Sequence, residues 1–458
     1  MTLSFYGATG TVTGSRFLVQ TPTSGVLVDA GLYQGLRQLR RRNWDPVPFK
    51  CEDLDAVVIS HAHLDHSGYL PVLGRSGLSA PIFASRDTTR LAELVLRDSA
   101  KLQEEDAAYA SKKGFSKHAT PKPLYDGRDV DRVLSNFVDL DFDDEKIVGD
   151  DLSLRLRPAG HILGSASVLL ESSLGTIAFS GDLGRDHHPL LRPPEPPPRV
   201  DTLVIESTYG NRKHPSSGTE QLADVVRRTI GRGGVVVIPA FAVDRTEVLL
   251  VALGELLNNG VIPPVPIFLD SPMALKALDI YRDALRMGRR DVRDEVAGLL
   301  DVAGLREART STESKQLNEP SGPCIIVSAS GMASGGRVVH HLKYLLPHDR
   351  NSVVLVGYQA VGTRGRDLAD GASSLKMHGR YIPVRAEVTQ IDGFSVHADG
   401  DELLAWASAM VEPPTTTYVV HGEPEASAAL VARFRDELHW NAVAPRDGET
   451  VRIDRPPR

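Results

Sequence analysis

Residues 61–66 read His-Ala-His-Leu-Asp-His. Three imidazoles and a carboxylate packed this densely are a poor way to build a core, because each needs a polar partner once buried. They are a good way to hold metal. His61 and His63 are two apart, so in extended backbone they point to one side and can share a cation, imidazole being a common zinc ligand. Asp65 and His66 are adjacent, and a turn there would aim them at a second cation. Two zinc ions roughly 3.5–4 Å apart suit the hydrolysis of phosphate esters. The bland alternative, a solvated His-rich loop, fits poorly with ligand spacing this dense.

The run follows Leu54-Asp55-Ala56-Val57-Val58-Ile59-Ser60, which reads as a buried strand, so the cluster lies at a strand's C-terminal end, where α/β sheets usually place chemistry. Further ligands are expected at other strand ends. His161 lies in the Gly-flanked turn Ala159-Gly160-His161-Ile162-Leu163-Gly164, Asp182 follows the apolar run Thr176 to Phe179, and His421 ends the run Thr417 to Val420. Each alone is an ordinary loop residue. Together with the opening cluster they complete two coordination spheres.

With these residues the chain resembles the metallo-β-lactamase fold, and within it the β-CASP nuclease branch. The resemblance implies that His61, His63 and His161 hold one zinc, that Asp65, His66 and His421 hold a second, and that Asp182 bridges them. Asp29, in Val26-Leu27-Val28-Asp29-Ala30-Gly31, matches the family's first motif and is expected to orient the ligand loop through hydrogen bonds. Glu206 in Glu206-Ser207-Thr208-Tyr209-Gly210 matches motif A, His397 in Gly393-Phe394-Ser395-Val396-His397 matches motif B, and His421 matches motif C. The resemblance runs from Gly7-Ala8-Thr9-Gly10 to the last strand. The implied architecture is α/β: a four-layer αββα domain formed by residues 1–206 and 373–458, with an α/β β-CASP cassette inserted at 207–372. Such a cassette acts as a lid, with the active site expected in the cleft beneath it.

Elementary patterning agrees with an inserted α/β cassette. Val235 to Ile238, Pro266 to Leu269, Cys324 to Val327 and Val353 to Val356 read as buried parallel strands, and Thr246 to Leu257 as a helix. Earlier in the chain, Leu91, Leu94, Val95 and Leu102 mark one helical stripe between Arg86 and Lys113, and the Pro-rich stretch from His187 to Pro198 reads as an irregular loop. No internal repeat or appended RNA-binding module is visible.

Phosphodiester hydrolysis needs an activated water, neutralisation of developing charge and a proton for the leaving oxygen. The metal pair would serve the first two. His397 is expected to deliver the proton as general acid, held and kept charged by Glu206, with Asp65 taking part in water activation. In the cassette, Ser330 and Gly331 lie in a turn before a helix bearing Arg337, a setting suited to anions, and Arg364 and Arg366 offer guanidiniums to backbone phosphates. Such turns are also commonly structural. His187, His188, His214, His340, His341 and His378 read as packing or surface residues.

Within the family, members acting on DNA generally lack the motif C His, so His421 favours RNA. The J-type exonucleases carry a G-S-x-G-E-P pocket where this chain has Ser328-Ala329-Ser330-Gly331-Met332, and a Gly before the motif B His where this chain has Val396. Both departures point to the branch that includes the pre-mRNA 3′-end cleavage subunit and its prokaryotic relatives, which cuts internally. A zinc-dependent endoribonuclease acting on single-stranded RNA is therefore expected. A catalytically silent scaffold is disfavoured by the complete ligand set, and a small-molecule hydrolase leaves the cassette without a purpose.

Composition bounds the rest. At 458 residues, with 41% hydrophobic and 24% charged residues, the chain is long enough for two or three globular domains. Its net charge of −7 argues against tight nonspecific binding of long duplexes. Two distant cysteines, Cys51 and Cys324, fit a reducing compartment, and no export leader or membrane span is visible, so a cytoplasmic location is expected. The sequence does not identify the oligomeric state, and a homodimer is one assembly compatible with it.

Overall fold

The computed structural model describes residues 1–113, 121–214, 218–357 and 359–453. They form two compact units, one made of Met1–Lys213 with His397–Arg458 and the other of His214–Val396.

The first unit carries two seven-stranded sheets. One runs in the order Thr450–Arg452, Thr2–Phe5, Phe17–Gln20, Gly25–Val28, Ala56–Val58, Ile82–Ala84, Phe137–Asp139, and the other in the order Ala442–Val443, Thr416–Val419, Thr202–Ile205, Gly175–Phe179, Ala166–Ser172, Leu152–Pro158, Lys146–Val148. Strand residues alternate between faces. Phe17, Val19, Val26, Val28 and Val58 therefore point inward and meet Leu154, Leu156, Val168, Phe179 and Val204 of the facing sheet. Leu18, Leu27 and Val57 point outward, under Leu70, Leu73, Leu96, Val130 and Val133 from the helices on that side. On the opposite flank Ala178, Leu203 and Val419 are covered by Leu403, Trp406, Leu430 and Phe434. Helix, sheet, sheet and helix thus form the expected four layers. The helix expected between Arg86 and Lys113 spans those residues, and 187–198 is irregular.

The second unit is built on a six-stranded, wholly parallel sheet in the order Leu305–Glu307, Ile267–Leu269, Cys324–Ser328, Val235–Pro239, Ser352–Val356, Glu387–Ile391. Four of these strands are the expected apolar runs, and the helix Arg245–Asn258 covers the expected 246–257. Both faces of the central strands are covered, which is why they are apolar without alternation. The compact unit ends at Val396, past the boundary of 372 drawn from the sequence. The added stretch holds the hairpin Ser374–Met377 and Arg380–Pro383 and the edge strand Glu387–Ile391, which pairs with Ser352–Val356 and whose polar residues carry no core-strand signature. Among the described residues no helix is long and apolar enough to cross a membrane.

Candidate metal centre

Strand Ala56–Val58 delivers Ser60 and His61 to its C-terminal end, and the short helix Leu64–Ser67 then turns Asp65 and His66 the other way from His63. Asp29 secures this turn. It follows strand Gly25–Val28 in a left-handed conformation (φ 60°), accepts the Ser60 amide at 2.8 Å and the Ser60 hydroxyl at 2.9 Å, and takes His66 Nδ1 at 2.7 Å. With Nδ1–H given to the carboxylate, Nε2 of His66 is left as the ligand atom. Two residues on, Gly31 lies so close to the Asp65 carbonyl that an added Cβ would sit 1.6 Å from it, so only glycine fits.

The expected ligands converge as two groups. His61 Nε2 lies 3.1 Å from His63 Nδ1, which lies 3.3 Å from His161 Nε2. His66 Nε2 lies 3.1 Å from His421 Nε2, which is 3.6 Å from Asp65 Oδ2. Asp182 stands between the groups, with Oδ2 3.5 Å from His61 and 3.8 Å from His161, and Oδ1 3.3 Å from His66 and 3.3 Å from His421 Nδ1. His61, His161, Asp182 and His421 are buried, and neither oxygen of Asp182 has a hydrogen-bond partner.

A buried carboxylate without hydrogen bonds, ringed by imidazoles, is costly unless a cation completes it. Ligand nitrogens about 2.05 Å from a tetrahedral zinc stand about 3.3 Å apart, close to the nitrogen spacings within both groups. The donor set therefore fits a metal cofactor.

Electrostatics agree. Burial, with the neighbouring imidazoles, pushes His61 well below the ordinary histidine range, and burial lowers His63 as well, so both favour the neutral form that ligates. For Asp65 and Asp182 burial works toward protonation, but His421 and His66 outweigh it and hold both carboxyls below their usual range. Burial opposes charge on His66 too, yet Asp182 and Asp29 draw it well upward, marking this as a point that attracts positive charge.

Glu206 and His397 form the third cluster. Glu206 is fixed by the Leu183 amide on Oε1 at 2.6 Å and the Thr208 amide on Oε2 at 3.3 Å. His397 Nδ1 lies 3.6 Å from Glu206 Oε2 and 3.8 Å from Asp182 Oδ2, and its ring lies 4.4 Å from that of His161. The spacing to Glu206 is that of an ion pair, too long for a hydrogen bond.

The cassette residues are arranged differently. The Ser330 hydroxyl accepts the Ser334 and Gly335 amides, and Gly331 packs against Phe241. Arg337 is tied inward, to Asp270 at 2.6 Å and the Ala308 carbonyl at 2.9 Å. Arg364 binds the carbonyls of Lys376, Ala333 and Ser334, and Arg366 pairs with Asp370. These guanidiniums have internal partners, so the geometry gives them structural work before any phosphate. His188 accepts the amides of Leu190 and Leu191, His341 is buried against Asp270, and His340 stacks on His378, as packing or surface roles require.

Two contributors were not legible beforehand. Ser60 hydroxyl lies 3.1 Å from His61 Nδ1, and Thr208 hydroxyl lies 3.2 Å from His421 Nδ1. Ser60 directly precedes His61 and Thr208 lies two positions after Glu206, and that closeness in the chain was the available signal.

Comparison with known proteins places this geometry. The profile described as metallo-beta-lactamase superfamily matches residues 9–208, the Beta-Casp domain 246–368, and the Zn-dependent metallo-hydrolase RNA specificity domain 381–445. Ribonuclease TTHA0252 of Thermus thermophilus is 36% identical over 430 residues, covering 93% of this chain and 94% of that protein. Transcription termination factor FttA of Pyrococcus abyssi is 34% identical over 464 residues, covering 96% of this chain and 69% of that protein. A solved structure from Enterococcus faecalis V583, titled as a protein of unknown function, aligns over 98% of this chain and 99% of its own with a TM-score of 0.54 at 14% identity, a likeness of fold alone. The chain belongs to the β-CASP family of the metallo-β-lactamase superfamily and is a metallo-hydrolase.

Proposed function

We propose that this metallo-hydrolase acts on RNA as a two-zinc endoribonuclease that cuts single strands internally. The observation carrying this reading is Asp182, a buried carboxylate with no hydrogen bond, placed between two sets of ligand atoms. His61, His63 and His161 would hold one ion, Asp65, His66 and His421 the other, and Asp182 both. When bound, the ions supply acidification of the attacking water and neutralisation of charge on the phosphoryl oxygens.

The protein's own groups do the rest. Asp29 holds His66 in the tautomer that ligates. The partly buried Asp65 carboxylate, held ionised by His421 and His66, accepts a proton from the attacking water. His397, the most exposed imidazole facing Asp182, donates a proton to the leaving oxygen, with Glu206 fixed by two backbone amides as the carboxylate that orients it. The match to an RNA specificity domain and the similarity to a protein named ribonuclease support RNA as substrate, and the motif C histidine, His421, supports it independently.

The test is incubation of metal-loaded protein with end-labelled single-stranded RNA, with and without chelator. Internal products are expected, abolished by chelator and restored by zinc. His397→Ala should slow cutting by about 10²–10⁴-fold with metal content unchanged. Cutting indifferent to chelator would refute the metal reading, and cutting indifferent to His397 would refute the acid assignment.

A further inference from the structure

We propose that the short helix Arg37–Arg42 and the indole just beyond it form a docking track for a single strand of RNA, with Arg37, Arg40 and Arg41 on its phosphates and Trp44 under one of its bases. The inference rests on the RNA reading above and assigns that substrate a second contact on the first unit.

In a chain of net charge −7, this helix reads Arg-Gln-Leu-Arg-Arg-Arg and buries none of its residues. Positions 37, 40 and 41 are spaced three and four apart, so they share one face of the helix, and Trp44 follows two residues past its end. Arg37, Arg40 and Arg41 are exposed and make no ion pair or side-chain hydrogen bond among the described residues. Arg42, which leaves that face, is the one engaged, 2.5 Å from Asp447 and 4.2 Å over the Tyr33 ring. Asp45 follows as a single exposed carboxylate.

Trp44 is 59% exposed, whereas Trp406 is buried and Trp440 stacks on Phe434. An indole left in water is an unfavourable use of a large apolar ring, and an aromatic face beside arginines is the arrangement that stacks bases while cations track the backbone. Favourable interaction with the helix dipole accounts for arginines in the last turn, but not for Arg37 in the first or for the exposed indole.

The track is rigidly rooted. Asn43 is buried, accepts the Tyr33 amide at 2.9 Å and donates to the Tyr33 carbonyl at 2.8 Å. The segment just before Tyr33 is hydrogen-bonded to the ligand helix, Ala30 to the His66 carbonyl and Leu32 to the Leu64 carbonyl. The basic face is thus built on the same loop that Asp29 uses to fix the metal ligands. With Leu36 and Trp44 as its only large exposed apolar groups, the helix is too short and too polar for a membrane surface.

The experiment measures binding of a labelled single-stranded RNA about twenty nucleotides long, as a function of salt, using full-length metal-loaded protein in the His397→Ala background. The triple variant Arg37→Gln, Arg40→Gln, Arg41→Gln should reduce the slope of log affinity against log salt by about 2, three phosphates at about 0.7 each, and weaken binding at least about ten-fold. Trp44→Ala should weaken binding about ten-fold with the slope retained. Removing three charges elsewhere, Arg97→Gln, Arg128→Gln, Arg132→Gln, should leave the slope unchanged. An unchanged slope and affinity in the first triple variant, with unsubstituted protein binding and cutting RNA, overturns the track and leaves the ribonuclease reading standing. Unsubstituted protein that neither binds nor cuts RNA overturns both. Loss of binding to phosphatidylglycerol vesicles with RNA binding intact assigns the patch to lipid and overturns the proposal.

Discussion

Asp182 and Asp270 are both buried carboxylates beyond the C-terminal end of a strand, one in each compact unit, and both face histidine. Asp270 is fully satisfied: Ser314, His341 and Arg337 each donate to it at 2.6 Å. Burial works to protonate it, and these three hydrogen bonds outweigh burial and hold it below the usual carboxylate range. Asp182 has five imidazole nitrogens 3.3–3.8 Å away and not one hydrogen bond. The same residue types therefore serve opposite ends. Where the protein supplies every partner, a His–Asp cluster is a structural tie, and where it withholds them the cluster is a receptor for charge from outside.

The sharpest way to break this contrast is to neutralise each carboxylate in turn. Asp182→Asn should lower RNA cutting on the order of a thousand-fold, the scale of losing a preorganised electrostatic element, and should lower metal content. Asp270→Ala should instead cost ~3–5 kcal/mol in denaturant unfolding by leaving Arg337 and His341 unpaired, with metal content unchanged. If Asp182→Asn left metal content unchanged, or Asp270→Ala cost nothing, the distinction would fail. Asp29→Asn, which touches a ligand without being one, should weaken metal binding about 10–100-fold in a competition titration.

The smallest expected effect lies on the second unit's edge strand. Hydrogen bonds from Arg228, then Arg232, pull the Glu387 carboxyl from 4.5 to about 2 against partial burial. A depressed carboxyl stabilises the fold above its unfolded value, and the contribution is lost as pH falls toward its folded value. Glu387→Gln should therefore cost under ~1 kcal/mol near neutrality, the scale of a surface ion pair, and urea midpoints of variant and unsubstituted protein should converge between about pH 4.5 and 2. A gap that widened on acidification would reverse the assigned sign.

What could be read without coordinates follows the same physics. The run from His61 to His66 was legible because dense imidazole and carboxylate make no sense as core, and the central strands of the second unit because both of their faces are buried. Glu387–Ile391 was not, since a polar edge strand has no apolar signature. Arg337 and Arg364 looked free because their partners are remote or are bare carbonyls: Asp270 lies 67 positions from Arg337, and Arg364 binds backbone oxygens that no residue type announces. Glu206 was recognisable only by its motif, as its local context is that of an ordinary strand-end carboxylate.

In the proposed site, Asp182 is left without protein partners because two cations share it. Crystals grown with zinc and measured at the zinc absorption edge test it directly. Two anomalous peaks roughly 3.5–4 Å apart are expected, one among His61, His63 and His161 and one among Asp65, His66 and His421, with an Asp182 oxygen on each. A single peak, or none, with Asp182 turned away from the histidines would contradict it.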